Sequence, residues 1–369
     1  MGVFNTVPMT KVNSNGFDLS HEHQTTFNMG ELVPVCCFDV LPGDRIKMNC
    51  EKMLRFAPLA APTYGNVDVT CHYFFVPSRL TWPNFEAFIT GRETPEWPHL
   101  VGDTTVVHGS LGDNLGFPSG GSSEINTLPW SAIPIAAYAL IWDEFYRDQN
   151  LQDEVFEPLI DGNNNANYLA MAAGRPLRRA WKHDYLTSCL PFAQAGDEVE
   201  LPLLQDQKVD VTLKGPGNTN PFEALKDVDH TPVGSGNIQA QGANAQLERA
   251  GDPLVLDPKG SLEVDIADEV TTINVFRRAL ALQKWMERNA RGGRRYIEHI
   301  LAHFGVKSSD KRLQRPEYIG GARAKMTISE VLSTAQTIDQ DTNDVPIGEL
   351  KGHGIGVSAG KAFNFYAEE

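Results

Sequence analysis

The sequence predicts a mainly β protein, a sandwich or barrel of antiparallel strands interrupted by long loops and helical insertions. Three observations carry this. Apolar residues alternate with polar ones through 67–75, the two-residue period of a strand. Pro and Gly turns separate short strand-like runs, without the regular helix that a βαβ unit would place between them. Gly-, Ser- and Asn-rich stretches and helical segments then fall between the strand-like regions.

The elements follow in order. Leu41-Pro42-Gly43-Asp44 is a turn, after which Ile46, Met48 and Cys50 alternate. Val67, Val69, Cys71, Tyr73 and Phe75 line one face of the next strand, with Phe74 and Val76 on the other, so both faces are expected to be covered. Residues 100–128 have no sustained period and read as a surface loop. Ser131 and Pro134 then suit the start of a helix whose face is Ile135, Tyr138, Ala139, Trp142 and Phe145. Asp197–Leu204 and Val209–Leu213 look like strands. The stretch Gly215–Lys259 is patternless, and a loop of that length usually has a role. Ile273, Phe276, Leu280 and Met286 give one helix a face, ended by Gly292-Gly293. Tyr296, Ile297, Ile300, Leu301 and Phe304 give a second, ended by Gly305. Short β-like runs return at Met326–Ile328 and Gly354–Val357.

Composition narrows the function. The 369 residues carry 32 Lys and Arg against 47 Asp and Glu, a net charge of −15. Broad binding of DNA or RNA over the whole surface is disfavoured, because phosphate contacts need clustered cations. The N-terminus has no basic stretch followed by an apolar run, so no secretory signal is visible. The longest nearly apolar run, Ile133–Trp142, is too short to cross a bilayer. Cys36, Cys37, Cys50, Cys71 and Cys189 are odd in number and lack paired spacing, which predicts reduced, mostly buried thiols.

Catalytic and metal motifs are weak. Gly356-Val357-Ser358-Ala359-Gly360 matches a nucleophile elbow, but no His follows Ser358. Asp339, Asp341 and Asn343 match alternate positions of a calcium loop, yet Asp344 stands where Gly is needed and Leu350 where a bidentate Glu is needed. His299 and His303 share a helix face, and His21 and His23 a strand face, with no third ligand nominated by the sequence. No catalytic residue, metal ligand set or cofactor is predicted.

Two basic clusters stand out from the acidic background: Arg175, Arg178, Arg179 and Lys182, with His183 and Trp181 among them, and Arg288, Arg291, Arg294 and Arg295 beside Tyr296. Arg with an aromatic ring can grip nucleic acid or anchor a protein interface. The net charge favours subunit contacts or ion pairs. Trp82, Phe85, Phe88 and Trp97, and further on Trp130 and Trp142, are candidate interface aromatics, with a core role as the competing reading.

Several longer segments carry a family resemblance. They are Phe17-Asp18-Leu19-Ser20-His21-Glu22-His23, Leu41-Pro42-Gly43-Asp44, His72-Tyr73-Phe74-Phe75-Val76-Pro77, and Trp82-Pro83-Asn84-Phe85-Glu86-Ala87-Phe88-Ile89-Thr90-Gly91. Then come Tyr146-Arg147-Asp148-Gln149-Asn150, Asp184-Tyr185-Leu186-Thr187-Ser188, Ala290-Arg291-Gly292-Gly293-Arg294-Arg295-Tyr296, and Arg312-Leu313-Gln314-Arg315-Pro316-Glu317-Tyr318-Ile319-Gly320-Gly321. Over about residues 15–365 the chain resembles the major capsid proteins of microviruses, the small icosahedral single-stranded DNA bacteriophages, and most of all the gokushovirus branch.

The resemblance implies a viral jelly roll occupying 1–369. Its insertions would be a loop and helical one at 78–196, a surface one at 205–265 and a helical one at 270–320. It implies a T=1 shell of sixty copies, built through pentamers, around a circular single-stranded DNA genome, with the two basic clusters expected at subunit contacts or on the inner wall. The stretch within 205–265 is the candidate for the outer three-fold protrusion of that branch, with 100–128 as second choice. The implied partners are further copies of the chain, an internal scaffolding protein, a small basic DNA-binding protein, a pilot protein and a host surface receptor, with no membrane insertion. The implied location is the virion, assembled in the bacterial cytoplasm. The family also implies a region beyond Glu369, without which a sheet edge would stay open. The rival reading is a carbohydrate- or metal-binding module on the same fold.

Overall fold

The computed structural model describes residues 13–57, 59, 63, 65–102, 106–119, 128–199, 272–332 and 350–368, with short strands between 212 and 263. The chain divides into two compact units, one of Met1–Cys189 with Gly293–Glu369 and one of Leu190–Gly292. In chain order the first unit contains β1 (Arg45–Met48), β2 (Lys52–Arg55), β3 (Asn66–Phe75), α1 (Ser78–Thr81), α2 (Phe85–Ile89), β4 (His99–Val101), α3 (Leu111–Asn114), β5 (Pro129–Ser131), α4 (Ile133–Phe145) and α5 (Asn165–Ala173). The second unit contains β6 (Thr212–Leu213), β7 (Leu225–Lys226), β8 (Gln239–Gln241), β9 (Gln246–Arg249), β10 (Asp252–Pro253), β11 (Val255–Leu256), β12 (Leu262–Glu263) and α6 (Ile273–Gly292). The first unit resumes with α7 (Tyr296–Phe304), β13 (Glu317–Leu332), β14 (Leu350–Ser358) and β15 (Phe363–Tyr366).

Every strand pair is antiparallel among these elements. The main sheet has the order β2-β14-β13-β3, and a second pairs β1 with β15. Residues far apart in sequence are therefore neighbours, as when Asp68 faces Lys325. Helix is about as abundant as strand, so "mainly β" describes the sheets of the first unit and not the whole chain. The helices lie between β3 and the 212–263 strands and between those strands and β13.

Glycine makes the close layering of the sheet possible. Gly354 faces Phe56, and a Cβ there would lie 2.6 Å from Phe56 Cδ2. A Cβ on Gly356 would lie 3.2 Å from Met326 Cε. Gly320 leaves room for the Phe363 ring in the same way. On its other flank β3 meets α4 through rings. Phe74 lies 4.8 Å from Phe145, and His72 stacks on Tyr146 at 5.9 Å.

A buried cluster is drawn from the sequence region after β3. Trp82, Leu100, Val106, Trp130, Ala132, Ile135, Ala136, Ala139, Leu159, Tyr168 and Ala172 form it. The α4 face predicted from periodicity is the face that is buried, apart from half-buried Phe145. Pro134 stands in its first turn, while Ala132 holds the N-cap position. Ser131 Oγ accepts from the Ile133 amide at 3.4 Å.

Several expectations need correction. Residues 100–128 are not simply a surface loop: Leu100 and Leu111 are fully buried, in β4 and α3. Scattered apolar residues fill the core there without any period. Helix α5 had no clear signal, because its buried face rests on Tyr168 and Ala172 in a run of small residues. Asp197–Val199 is irregular and not strand. Residues 200–211 lie outside the described set, as do the calcium-loop candidates Asp339, Asp341 and Asn343. On α6 the face expected inside is partly outside: Ile273 is 72% and Leu280 51% exposed, while Ala290 is buried.

Filling the glycine positions tests the layering. Gly354→Val is expected to lower unfolding free energy by about 1–3 kcal/mol, the usual cost of overpacking. Gly65→Ala, where nothing lies within 4 Å, should leave the thermal unfolding midpoint nearly unchanged.

Candidate assembly surfaces

Capsid-type function would reside in surfaces, and three are built by the fold. The first is an aromatic ledge. Trp82 is fully buried, and its Nε1 donates to Asp161 Oδ1 at 2.8 Å. Asn84 Nδ2 donates to the same carboxylate at 2.9 and 3.1 Å. Phe88 and Trp97 each pack 5.5 Å from the Trp82 ring and 5.4 Å from one another. Those two rings reach the surface at 37% and 39% exposure, beside Ile89. Of the four aromatics, Trp82 is core, Phe85 packs partly buried against it, and Phe88 and Trp97 form the exposed margin. Trp130 and Trp142 are also core.

The second surface is the basic segment after α5, with the extended arm that pairs to it. Tyr138 Oη donates to Leu32 O at 2.8 Å and accepts from the Leu177 amide at 2.9 Å. Trp142 Nε1 donates to Arg178 O at 2.9 Å. These bonds lay the segment across α4. Arg175 Nε contacts Glu31 Oε1 at 2.9 Å, holding the arm down. Burial pushes the Glu31 carboxyl up, but the Arg175 guanidinium and the Asn28 amides outweigh it, and the group sits below its ordinary value of 4.5. Arg179 lies 5.8 Å above the Tyr146 ring, and Lys182 pairs with Asp68 at 3.6 Å. Arg178 is exposed, and beyond it Trp181, Tyr185 and Leu186 are 77%, 97% and 82% exposed.

The third is a polar cleft of about 610 Å³ between the end of α4, the start of α7 and the 313–315 turn. Asp143 accepts from the amides of Val155 (3.0 Å) and Phe156 (2.7 Å). Burial raises its carboxyl above the ordinary range, against the pull of those amides. Arg147 Nε stands 3.3 Å from Asp143 Oδ1. Arg295 Nη2 donates to the carbonyls of Asp143 (3.1 Å) and Arg147 (2.6 Å), closing the end of α4. Arg315 packs 4.2 Å above Phe145 and pairs with Glu144 and Asp310. Carboxylates and guanidiniums balance here, so the cleft selects neither anions nor cations.

The second basic cluster is thereby divided. Arg295 works inside the first unit, Arg294 stands exposed beside it, and Arg288 and Arg291 are exposed on α6 in the second unit. Sequence reasoning missed Arg147 and Arg315. Arg147 is an isolated cation in sequence and Arg315 follows Lys311 and Arg312, and the tertiary fold sets each beside carboxylates.

Among the described residues the chemical motifs do not assemble. Ser358 lies in a strand paired with Lys52, not in an elbow. The His299 and His303 rings are 4.4 Å apart. Among the described residues no three His, Cys, Asp or Glu converge as a metal set. His21 lies in the exposed arm, its Nδ1 at 2.9 Å from Leu19 O. The cysteines are reduced, but Cys36, Cys37 and Cys189 are exposed and none of the five is buried. The arm and the loop that carry those three run along the surface. No described helix is long and apolar enough to cross a membrane.

Two outcomes test these surfaces. Asp143→Ala strands two amides and should cost about 1–3 kcal/mol in urea unfolding. The Glu31–Arg175 tether depends on an ionised carboxylate whose native pKa is depressed. Its contribution is complete above 4.5 and disappears as pH falls through the lower native value. Limited proteolysis of the arm should accelerate over that acid range, and Glu31→Gln should show the fast cleavage already at pH 7.

Comparison with known proteins completes the picture. The chain matches the family model for the capsid protein (F protein) over residues 5–365. It is 33% identical to capsid protein VP1 of Bdellovibrio phage phiMH2K, over 98% of this chain and 68% of that protein. Identity to capsid protein VP1 of Chlamydia phage 1 is 30%, over 90% and 66%. For capsid protein VP1 of Spiroplasma virus 4 it is 29%, over 94% and 64%. The chain thus spans about two thirds of the length of these relatives. With a match that runs almost from end to end, the chain belongs to the capsid protein (F protein) family.

Proposed function

We propose that this chain is a structural major capsid protein and that it assembles, through pentamers, into a T=1 shell of sixty copies around circular single-stranded DNA. It turns over no substrate. One observation carries the reading beyond family membership: a single copy leaves many large apolar side chains uncovered. Phe17 is 83% exposed, Met53 77%, Val357 76% and Phe304 74%. Monomeric proteins rarely leave so much apolar surface to water, and neighbouring subunits would cover it.

The fold reading is a viral jelly roll. The pairing of β1 with β15, and of β2 with β14, brings early strands beside late ones, as such a roll requires. The stretch 205–265 serves as the outer protrusion at the three-fold axes. Internal scaffolding protein, a small basic DNA-binding protein, a pilot protein and a host surface receptor are the partners, and assembly takes place in the bacterial cytoplasm. With 15 net negative charges on each copy, most of the genome's neutralisation falls to the basic partner.

Electron microscopy of full-length protein expressed with its assembly partners tests this. Closed particles of one diameter are expected. A protein that stays monomeric there and binds a sugar or zinc instead would replace this reading with the jelly-roll binding module.

A further inference from the structure

Helix α6 departs from the charge of its own chain. Its 20 residues carry five cations, Arg277, Arg278, Lys284, Arg288 and Arg291, and one carboxylate, Glu287. Positions 277, 284, 288 and 291 follow at steps of seven, four and three, so those four fall on one face. The stripe runs about 21 Å along the helix. All four residues are exposed, and among the described residues no ion pair engages them. Like charges at these spacings oppose one another and weaken an isolated helix. Apolar side chains flank the stripe, with Ile273 72%, Leu280 51% and Trp285 48% exposed. Such a face asks for a partner that is both acidic and apolar.

The aromatic ledge of the first unit has that opposite character. Segments 85–97 and 157–161 hold five carboxylates and one arginine. Glu86, Glu93, Glu96 and Asp161 are exposed around Phe88, Ile89 and Trp97. Gly162 holds Glu96 close to Asp161: its amide donates to Glu96 O at 3.2 Å, and a Cβ there would lie 2.9 Å from Glu96 Oε2. Ile160, 59% exposed, extends the apolar margin.

We infer that α6 of one copy docks on the aromatic ledge of a second copy, its cationic stripe meeting Glu86, Glu93, Glu96 and Asp161. The inference rests on the capsid reading and names one of the contacts that reading needs. Two different patches meet, so the contact is head-to-tail, the kind that closes into rings when the rotation fits. A second copy suits the helix better than a nucleic acid does. Phosphates would satisfy the cations but leave Ile273 and Leu280 without cover, and a chain of net charge −15 repels a polyanion. Charges at the rim set register and encounter rate, while Phe88, Ile89 and Trp97 supply the apolar burial.

Full-length variants test the contact by charge reversal. Lys284→Glu with Arg288→Glu reverses the stripe, and Glu93→Lys with Glu96→Lys reverses the ledge. Either pair alone should lower the yield of closed particles at least about tenfold, and the four changes together should restore it. Lys284→Gln with Arg288→Gln, a milder change, should give an intermediate loss, with circular dichroism melts confirming that each variant folds. Unchanged particle yield in both reversed pairs, with the wild type assembling, overturns the contact and leaves the capsid reading intact. A wild type that never assembles overturns both. If the stripe reversal abolishes binding of a short single-stranded DNA oligonucleotide and leaves assembly untouched, the helix is a nucleic-acid contact and the inference fails.

Discussion

The indole of Trp82 is wholly removed from water, and its one donor must be satisfied inside the protein. Asp161 satisfies it, and with that bond the segment after residue 155 is held against α1. The Leu159 amide joins to Thr81 O in the same place, and Leu159 enters the core beside Tyr168. The outer side of the same indole carries Phe88 and Trp97 to the surface. A single buried ring thus connects the hydrophobic cluster, the position of an acidic loop and the exposed aromatic margin. Its neighbours on α4 complete the cluster through Ile135, Ala136 and Ala139.

Charge is distributed with equal economy. Some arginines serve the interior, where they close a helix end or bridge carboxylates under an aromatic ring, as Arg295 and Arg315 do. Such groups position chain segments, and removing one partner leaves the other buried without compensation. Other cations remain at the surface with room around them, and these are concentrated on α6. The inferred contact between copies draws on the second kind. The net charge of −15 sets an acidic background against which these cations stand out.

The sheet answers a different constraint. Neighbouring strands come from distant parts of the sequence, so β3 and β14 can be joined only after β13 lies between them. Glycines on β14 let Phe56 and Met326 close over the strand, which gives a thin layer with little space for substitution. Layers of that kind expose wide flat faces, and Val357 and Met53 lie side by side on one of them. The molecule folds without covering these faces, and association offers the natural means of covering them.

Local signals in the sequence determined much of this protein. Two-residue alternation located β3, and helical spacing located α4 with its buried face, because a half-covered element writes its period directly into the chain. The glycines that end α6 and α7 were legible for the same local reason: Gly293 and Gly305 take positive φ. The long ordered motifs carried the family, since they need no folding to be recognised. Tertiary structure alone decided the rest. Period could not reveal that Leu100 and Leu111 are core, because β4 and α3, of three and four residues, are too short to show one. Nor could it show which side of α6 faces inward, since an amphipathic helix bearing apolar residues on two sides leaves that choice to whatever packs against it. The same holds for Trp82 and Trp97, aromatic residues of one segment. One is interior, its indole bonded to Asp161, and the other stays 39% exposed at the surface.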